Sequence, residues 1–312
     1  MPTPTVSIVL PAARAARTIG KALDSVQTQD YPNVVDVIVA AADEETANAA
    51  RRSGVEILDN PKGSTPAALN LAIAAGQGQV VVRVDAHSTI PANYVSTAVD
   101  TLVRTGADNV GGMQVPVGET FWGRAIAAAM SSPVGSGDAR YRIGGEAGPV
   151  ETVYLGCFWR EKVEALGGFD ERFERHQDYE LNERIRESGG TVWFDPDLKV
   201  DYRPRSSLRA LARQYYDYGA WKRIFSRSHP GSLLPRQMAP PVLTIGLLLA
   251  MALSVIWPEL LVLPAIYVLA LAAAAFSTLP RSGIAFVGVP VALATMHLAW
   301  GSGFLLGHTR ER

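Results

Sequence analysis

An acidic residue and a histidine follow a run of valines in the first third of the chain. Asp85 and His87 come directly after residues 80–84, four of which are valine. Such a run predicts a buried strand, and ligands of open α/β sheets bind beyond the carboxyl ends of the strands. A carboxylate and an imidazole placed together can hold a divalent cation, which can neutralise a diphosphate. These two residues are therefore a candidate metal site, unless Asp85 only caps a backbone amide in a turn.

A second carboxylate, Asp178, stands at the start of a predicted helix over residues 178–187. The positive end of the helix dipole keeps a carboxylate at this position ionised. An ionised carboxylate beside a cleft can accept a proton from an attacking hydroxyl, which is general-base catalysis. The alternative is that Asp178 serves only as the helix N-cap, a position that aspartate favours. The residues alone leave both interpretations open.

Predicted strands and helices alternate over the first two thirds of the chain. The predicted strands cover residues 5–10, 34–40, 55–58, 80–84, 107–113, 152–157 and 192–194, and the predicted helices cover residues 19–29, 44–52, 67–75, 93–104, 122–130, 161–166 and 178–187. Alternation of this kind is typical of βαβ units with right-handed crossovers. It predicts an α/β fold with a mostly parallel sheet.

The composition changes towards the end of the chain. Apolar residues make up 48% of the 312 residues, and the net charge is −1. This charge gives no general attraction for nucleic acid. From Pro240 onward charged residues nearly vanish, and three mostly apolar stretches follow, at residues 237–257, 260–279 and 284–306. Each is long enough to cross a bilayer, and the alternative is a buried hairpin in a soluble protein.

A basic segment over residues 203–236 precedes these apolar stretches. Its eight arginine and lysine residues stand against a single acidic residue, Asp217. Basic segments next to membrane spans favour the cytoplasmic side. We therefore predict three parts: a soluble domain over residues 1–202, a basic, amphipathic interfacial segment over residues 203–236, and a membrane domain with about three spans over residues 237–312.

Two further features concern the compartment. The single cysteine, Cys157, excludes an internal disulfide and is compatible with a reducing compartment. Residues 6–11 are too short for a signal-peptide core, so the soluble domain is expected to stay in the cytoplasm. Three spans would place Arg310 and Arg312 outside, against the positive-inside tendency, whereas two spans and a re-entrant piece would not.

Four short motifs occur in an order that resembles a known family. They are Asp85-Ala86-His87, Val-Tyr-Leu-Gly at residues 153–156, Gly-Gly-Phe-Asp-Glu at residues 167–171, and Gln-Asp-Tyr-Glu-Leu-Asn at residues 177–182. This order resembles inverting family 2 glycosyltransferases, and residues 205–222 resemble the membrane-bound glucosyltransferases of succinoglycan synthesis. Each motif is weak by itself, but four in this order are more specific. The resemblance covers residues 5–225 and implies a GT-A, Rossmann-like nucleotide-diphospho-sugar transferase domain followed by transmembrane helices.

The resemblance implies roles for individual residues. Asp178 matches the catalytic base, and Asp85 with His87 matches the motif that binds Mg²⁺ or Mn²⁺. His87 stands where a second aspartate is more usual in that motif. The remaining matches are the donor-binding positions Pro11, Ala12, Lys62, Asn70, Asp85 and Ala86, and the positions Gln214 and Trp221, which close the site on the acceptor side.

Two places depart from the family pattern. The family places an acidic residue at the end of the second strand, where it meets the nucleotide base. Here residues 40–42 are alanines, and Asp43 comes late. Asp217 and Gly219 also depart from the tighter Gln-x-x-Arg-Trp form of the acceptor-side motif. The first departure leaves the identity of the donor open.

The resemblance implies an inverting, metal-dependent hexosyl transfer from a nucleotide-diphosphate sugar, with a UDP-sugar as the expected donor. The expected acceptor is lipid-linked or a polysaccharide at the cytoplasmic face of the inner membrane. Membrane lipids are further expected partners, and nucleic acid is not. The alternative is a catalytically impaired membrane scaffold, which the alanines at residues 40–42 support. A nucleotide-dependent oxidoreductase is disfavoured because no Gly-x-Gly-x-x-Gly follows the first two predicted strands.

Overall fold

The structure is a computed structural model that describes residues 3–307. Within this range the chain forms two compact units. The first unit comprises residues 3–115 and 144–202, and the second comprises residues 116–143 and 203–307. Arg310 and Arg312 lie outside the described residues. The choice between three spans and two spans with a re-entrant piece, which depends on these two arginines, therefore stays a prediction.

A mixed sheet forms the centre of the first unit. Its strands are β1 Val6–Ala12, β2 Val34–Ala41, β3 Glu56–Asp59, β4 Val80–Arg83, β5 Ser88–Thr89, β6 Asn109–Pro116, β7 Gly148–Pro149, β8 Tyr154–Trp159 and β9 Val192–Tyr202. The order is β3-β2-β1-β4-β8-β6-β9-β5, and β7 pairs with β9. Strands β3, β2, β1 and β4 pair in parallel, whereas β8 is antiparallel to both β4 and β6. The predicted parallel α/β sheet is therefore present, and antiparallel strands extend it.

Helices cover the sheet and build the second unit. In chain order they are α1 Ile19–Gln27, α2 Glu44–Arg51, α3 Thr65–Ala75, α4 Tyr94–Thr105, α5 Phe121–Met130, α6 Pro133–Ser136, α7 Arg140–Ile143, α8 Arg160–Ala165, α9 Gln177–Glu187, α10 Leu208–Ser228, α11 Pro235–Leu253, α12 Val262–Ser277, α13 Leu279–Ser282 and α14 Val289–Leu306. Two 3₁₀ helices, Pro258–Leu261 and Gly283–Gly288, lie between α11 and α14. Helices α5 to α7 and α10 to α14 belong to the second unit.

The strands at the centre of the sheet are mostly apolar because both faces of the sheet are covered. All seven residues of β1 are buried. Ile8 and Leu10 lie in one core cluster with residues of α1, and Val9 lies in a second cluster with Leu181 and Ile185 of α9. Burying side chains of this size contributes roughly 1.5–3 kcal/mol each. The second cluster therefore anchors α9, the helix that carries Asp178, on the sheet.

Strand β9 is longer than the sequence predicts. The prediction ended at residue 194 because a proline follows, yet the strand continues to Tyr202. Asp195 supports the chain past Pro196, since one carboxylate oxygen accepts the Asp197 N–H at 3.0 Å. The other accepts the hydroxyl of Thr101 on α4 at 2.7 Å. This tertiary contact keeps the backbone extended where the local sequence indicates a break.

Three apolar stretches of the second unit match the predicted ones. Among the described residues, Pro235–Leu253, Pro258–Ser277 and Leu279–Leu306 are long and apolar enough to cross a membrane. Their surfaces carry large exposed apolar side chains, and Leu248, Leu269 and Ile284 are 65%, 68% and 76% exposed. Apolar surface of this extent is unfavourable in water and is typical of a membrane or protein contact.

Helix α10 packs closely on α14 within the second unit. A Cβ atom at Gly219 of α10 would lie 2.1 Å from the carbonyl oxygen of Trp300, and one at Gly303 of α14 would lie 2.0 Å from that of Tyr216. Small residues allow the backbones of two helices to approach in this way. Gly219, a departure from the family motif in sequence, is therefore required by packing. The predicted basic segment is in large part this helix.

Candidate active site

A buried arginine joins the two carboxylates that the sequence singles out. Arg83 ends β4 and is 5% exposed. Its Nε donates to Asp85 Oδ1 at 2.9 Å, and its Nη2 lies 2.8 Å from the same oxygen. Its Nη1 donates to Asp178 Oδ1. The predicted metal ligand and the predicted base therefore lie together at the carboxyl end of β4, on either side of one guanidinium.

Neither carboxylate forms the capping contact that the sequence leaves open. His176 occupies the N-cap position of α9, and Asp178 lies within the first turn of that helix. The turn after β4 is closed by the backbone of Ser88, whose N–H donates to the carbonyl oxygen of Asp85 at 2.9 Å. The Asp85 side chain is bonded to Arg83 instead. Both side chains are thus directed to a shared cluster and not to capping.

The pKa values of the two carboxyl groups are shifted in opposite directions. Burial raises the pKa of Asp85, but Arg83, His87 and a hydrogen bond from Tyr154 together hold that pKa below its usual value. Burial is also the largest influence on Asp178, and with the charge of Asp85 it raises the pKa of Asp178 despite Arg83. Asp85 is therefore suited to remain an ionised ligand. Asp178 is the better proton acceptor of the pair.

Two residues beside the cluster have a left-handed backbone although neither is glycine. Leu155 has φ +55° and His176 has φ +64°. Leu155 follows Tyr154, whose hydroxyl lies 3.0 Å from Ser88 Oγ, and His176 precedes α9. Such conformations cost about 1–3 kcal/mol each and gather at functional sites. The surrounding packing holds both segments in place next to Asp85 and Asp178.

The cluster is suited to a divalent cation that also binds phosphate. Two carboxylates against one guanidinium leave a net negative charge, and the exposed His87 interacts electrostatically with Asp85. Across residues 3–307, no three acidic, histidine or cysteine side chains come together as a complete metal site. Mg²⁺ at phosphate sites commonly takes only one or two protein ligands and completes its shell with phosphate and water. The Asp85 carboxylate fits that arrangement, and the exposed His87 is a second candidate ligand.

The loop after β1 is held by the aspartate that comes late in the sequence. Asp43 accepts the N–H of Arg14 at 2.6 Å and caps α2 by accepting the N–H of Thr46 at 2.9 Å. These bonds lower the pKa of Asp43. Pro11 and Ala12 end β1 directly before this loop. The carboxylate of Asp43 is therefore engaged with the loop that the resemblance places beside the nucleotide.

The other predicted donor residues connect to the Gly-Gly-Phe-Asp-Glu turn. Lys62 pairs with Glu171 at 2.6 Å and is largely exposed. Asn70 donates to the carbonyl oxygen of Phe169 and accepts its N–H, both at 2.8 Å. Ala86 is buried in the core. Lys62 and Asn70 thus fix the turn after α8, and the donor-binding role of all three stays a prediction.

Gln214 and Trp221 lie on α10 in the second unit. Gln214 is buried, and its Nε2 donates to the hydroxyl of Tyr218 at 2.8 Å. Trp221 is partly buried on the same helix. Their function in closing the site on the acceptor side stays a prediction.

Sequence reasoning missed Arg83 and assigned no function to Tyr154. The signal for Arg83 was present, because it is the only charged residue in a run of valines that predicts a buried strand. Buried charges are paired in folded proteins, so this residue predicts a carboxylate partner nearby. Tyr154 lies within one of the four motifs, but no local pattern indicates that its hydroxyl reaches Asp85.

Comparisons with known proteins identify the family of the chain. Residues 7–167 match the family model of glycosyl transferase family 2. The chain is 30% identical over 311 residues to the succinoglycan biosynthesis protein ExoA of Rhizobium meliloti (strain 1021), which covers 95% of this chain and 93% of that protein. A second relative is the dolichyl N-acetyl-alpha-D-glucosaminyl phosphate 3-beta-D-2,3-diacetamido-2,3-dideoxy-beta-D-glucuronosyltransferase of Methanococcus voltae. The two sequences are 23% identical over 319 residues, and the match covers 97% of this chain and 96% of that protein.

A solved structure shows the same fold. The mannosyltransferase PcManGT from Pyrobaculum calidifontis, in complex with GDP-Man and Mn²⁺, superimposes with a TM-score of 0.62 at 20% identity. The match covers 98% of this chain and 88% of that one. The fold is the GT-A fold that the sequence predicts.

Proposed function

Because this chain belongs to glycosyl transferase family 2, we propose that it transfers a hexose, with inversion, from a nucleotide-diphosphate donor to an acceptor hydroxyl. The observation that carries this proposal is the pair of carboxylates joined by Arg83 at the carboxyl end of β4. In this proposal Asp85 acts beside the leaving diphosphate, and Asp178 acts beside the attacking hydroxyl. Their shared contact with Arg83 supports the proposal that both functions act around one reacting carbon.

Asp178 is the proposed general base. It takes the proton of the acceptor hydroxyl while that oxygen forms a bond to the anomeric carbon of the donor sugar. The bond from this carbon to the diphosphate breaks, and its electron pair leaves with the phosphate oxygen. Attack from the face opposite the leaving group inverts the anomeric configuration. The raised pKa of Asp178 supports this role, since it favours proton uptake.

Asp85 and His87 would hold a divalent cation, Mg²⁺ or Mn²⁺, which supplies positive charge beside the diphosphate when bound. Arg83 keeps the Asp85 carboxylate in one orientation by bonding to Oδ1. The same guanidinium fixes Asp178, so the base and the metal ligand keep their geometry without solvent reorganisation. Arg83 is in this proposal a positioning residue for both.

A nucleotide sugar is the proposed donor, with UDP-sugars to be tested first. The PcManGT structure holds GDP-Man, so GDP-sugars belong in the same panel. The end of β2 offers alanines at residues 40–42, and Asp43 is bonded to the loop after β1. The base of the nucleotide therefore has to be recognised by backbone groups or by residues other than the family's usual aspartate.

The proposed acceptor is a lipid-linked sugar or a growing polysaccharide at the cytoplasmic face of the inner membrane. Two observations support it: three helices that could cross a membrane, and relatives named for succinoglycan biosynthesis and for a dolichyl-linked sugar phosphate. We propose a catalytic part over residues 1–202, the interfacial segment over residues 203–236, and a multi-pass membrane part over residues 237–312. The basic residues of α10 would then face anionic headgroups.

The experiment is transfer by the full chain in detergent, with a panel of nucleotide sugars and with or without Mg²⁺ or Mn²⁺. Mass spectrometry of the product identifies the sugar, and NMR of the product gives the anomeric configuration. Metal-dependent, inverting transfer supports the proposal. Absence of both transfer and donor hydrolysis across the panel would favour the impaired-scaffold alternative, for which the engaged Asp43 is the structural argument.

A further inference from the structure

Strand β8 contains a β-bulge beside the candidate site. Val110 of β6 pairs with Cys157 of β8. Two residues further along β6, Gly112 pairs with Tyr154, which is three residues back along β8. One residue of β6 between these pairs therefore faces two residues of β8, and the first of the two, Leu155, has φ +55°. Bulges of this kind redirect the neighbouring side chain and are frequent beside active sites.

The side chain next to the bulge, Tyr154, reaches Asp85. The last pair between β4 and β8 joins Arg83 and Gly156. Asp85 lies two residues after Arg83, and Tyr154 lies two residues before Gly156. Because the two strands are antiparallel, both side chains come to the same end of the strand pair. There the Tyr154 hydroxyl hydrogen-bonds to the Asp85 carboxylate.

Two further side chains fix the direction of this hydroxyl. Ser88 Oγ lies 3.0 Å from the Tyr154 oxygen, and Gln114 of β6 also hydrogen-bonds to it. The Gln114 Oε1 atom is buried and has no hydrogen-bond partner among residues 3–307, so this bond comes from the Gln114 amide N–H. An ionised carboxylate can only accept, and a phenol has one O–H to donate. The proton of Tyr154 is therefore directed to Asp85, while its oxygen accepts from Gln114.

Tyr154 is also connected to the second candidate ligand, His87. The ring of Tyr202 on β9 lies between the two side chains. Its centre is 6.4 Å from the ring centre of Tyr154 and 5.8 Å from that of His87, and both contacts are edge-to-face. Tyr202 is buried, whereas His87 is exposed. A continuous series of contacts thus leads from Asp85 through Tyr154 and Tyr202 to His87.

We propose that Tyr154 is a positioning residue that holds Asp85 and His87 in the arrangement that one divalent cation can share. Arg83 bonds to Asp85 only at Oδ1, so the carboxylate can still turn about that contact. The bond from the Tyr154 hydroxyl removes this freedom, and the Tyr202 ring limits the positions of His87. Hydrogen-bond partners behind metal ligands orient them in this way. The inference rests on the proposed function, because it concerns the cation that these two ligands would hold.

The test is Mn²⁺ binding by the full chain in detergent, with Mn²⁺ alone and with UDP or GDP present. Electron paramagnetic resonance measures the free ion and so gives the affinity without any transfer reaction. Tyr154→Phe keeps the ring and removes only the hydroxyl, and it should weaken Mn²⁺ binding by about tenfold or more. Equal affinity in wild type and variant would overturn the proposal. A wild-type protein that binds no Mn²⁺ under either condition would overturn it as well.

Tyr31→Phe is the matched control. The Tyr31 hydroxyl donates to the carbonyl oxygen of Pro4 at 2.6 Å, in the same unit. Each variant removes one hydrogen-bonded phenol hydroxyl, so both should lower the melting temperature by about 2–6 °C. Only Tyr154→Phe should lower the Mn²⁺ affinity. A similar loss of affinity in both variants would assign the effect to stability and would contradict the positioning role.

A double variant tests the direction of the hydroxyl. Gln114→Met removes the bond that leaves the Tyr154 proton for Asp85, so it should weaken Mn²⁺ binding, though less than Tyr154→Phe does. Combined with Tyr154→Phe it should cause no further loss, because both changes act through the same hydroxyl. No effect of Gln114→Met alone, or additive losses in the double variant, would contradict this arrangement.

Binding and transfer separate this inference from the proposed function. If Mn²⁺ affinity depends on Tyr154 but no donor yields transfer, the proposed function fails and the cation site with its positioning residue stands. If transfer occurs and Tyr154→Phe binds Mn²⁺ as the wild type does, the inference fails and the function stands.

Discussion

Replacing Arg83 by methionine would leave two carboxylates without their shared cation. Methionine fills similar space but bonds to neither Asp85 nor Asp178. Removing one partner of a buried ion pair costs about 3–5 kcal/mol. Asp85 and Asp178 are 13% and 31% exposed at their side chains, and this partial solvation favours the lower end of the range. We therefore expect a loss of about 3 kcal/mol near neutral pH.

The stability loss in Arg83→Met should depend on pH in a defined direction. The pKa of Asp85 is depressed in the folded protein, so it contributes stability that is present above its unfolded pKa and lost as the pH falls through its folded pKa. Arg83→Met removes the cation that depresses it, so the folded pKa of both carboxyl groups should rise. Protonation then relieves the unpaired charges. The difference in stability between wild type and variant should be largest near pH 7.5 and should shrink towards pH 5.

The assay is thermal unfolding of the full chain in detergent. A unit of 150–250 residues shifts by about 2–4 °C per kcal/mol, so Arg83→Met should lower the melting temperature by about 6–12 °C. Adding Asp85→Asn and Asp178→Asn should recover most of this loss, since removing all charges leaves none unpaired. Arg172→Met is the matched control, because its pair with Asp170 is exposed on the arginine side and should contribute less than about 1 kcal/mol. An unchanged melting temperature in Arg83→Met, or no recovery in the triple variant, would refute the reasoning.

Three further predictions concern the metal, the helix contact and the topology. Asp85→Asn should weaken Mn²⁺-dependent binding of a nucleoside diphosphate by at least about tenfold in calorimetry, whereas His87→Asp should retain binding; equal binding in Asp85→Asn would contradict the metal assignment. Gly303→Ala should destabilise the second unit by about 1–3 kcal/mol in thermal unfolding, because its Cβ would lie 2.0 Å from the carbonyl oxygen of Tyr216, whereas Gly246→Ala meets nothing within 4 Å and should not. A cysteine introduced at Ser228 should resist labelling from outside intact cells. The native Cys157 is buried and should not react, so labelling would report on position 228 and would reverse the proposed orientation.

The local sequence predicts most elements of the fold because their signals are local. The alternation of strands and helices and the three apolar stretches both depend on neighbouring residues. The family, the GT-A fold and the relation to succinoglycan synthesis were predicted from short motifs and are confirmed. The continuation of β9 was missed because it depends on Thr101, which is distant in sequence from Asp195.

Individual residues of the candidate site are predictable from the sequence, whereas the contacts between them are not. Asp85 and Asp178 each carried a local signal, a strand end and a helix start. The bond from Arg83 to Asp178 joins residues 95 positions apart, and no local pattern fixes such a pair. In the sequence Gly219 is a departure from a motif, and its physical reason is the contact of α10 with the backbone of Trp300. Side-chain pairing across the fold is the part that periodicity and spacing do not determine.

The most direct test of the central claim is the transfer rate of Asp178→Asn. Asparagine keeps the size of the side chain and can still accept a hydrogen bond from Arg83, but it cannot take a proton from an acceptor hydroxyl. Under single-turnover conditions, with the product measured by mass spectrometry, transfer should fall by about two to four orders of magnitude while nucleotide binding stays unchanged. Transfer at a near wild-type rate would show that Asp178 is not the base and would contradict the proposed mechanism.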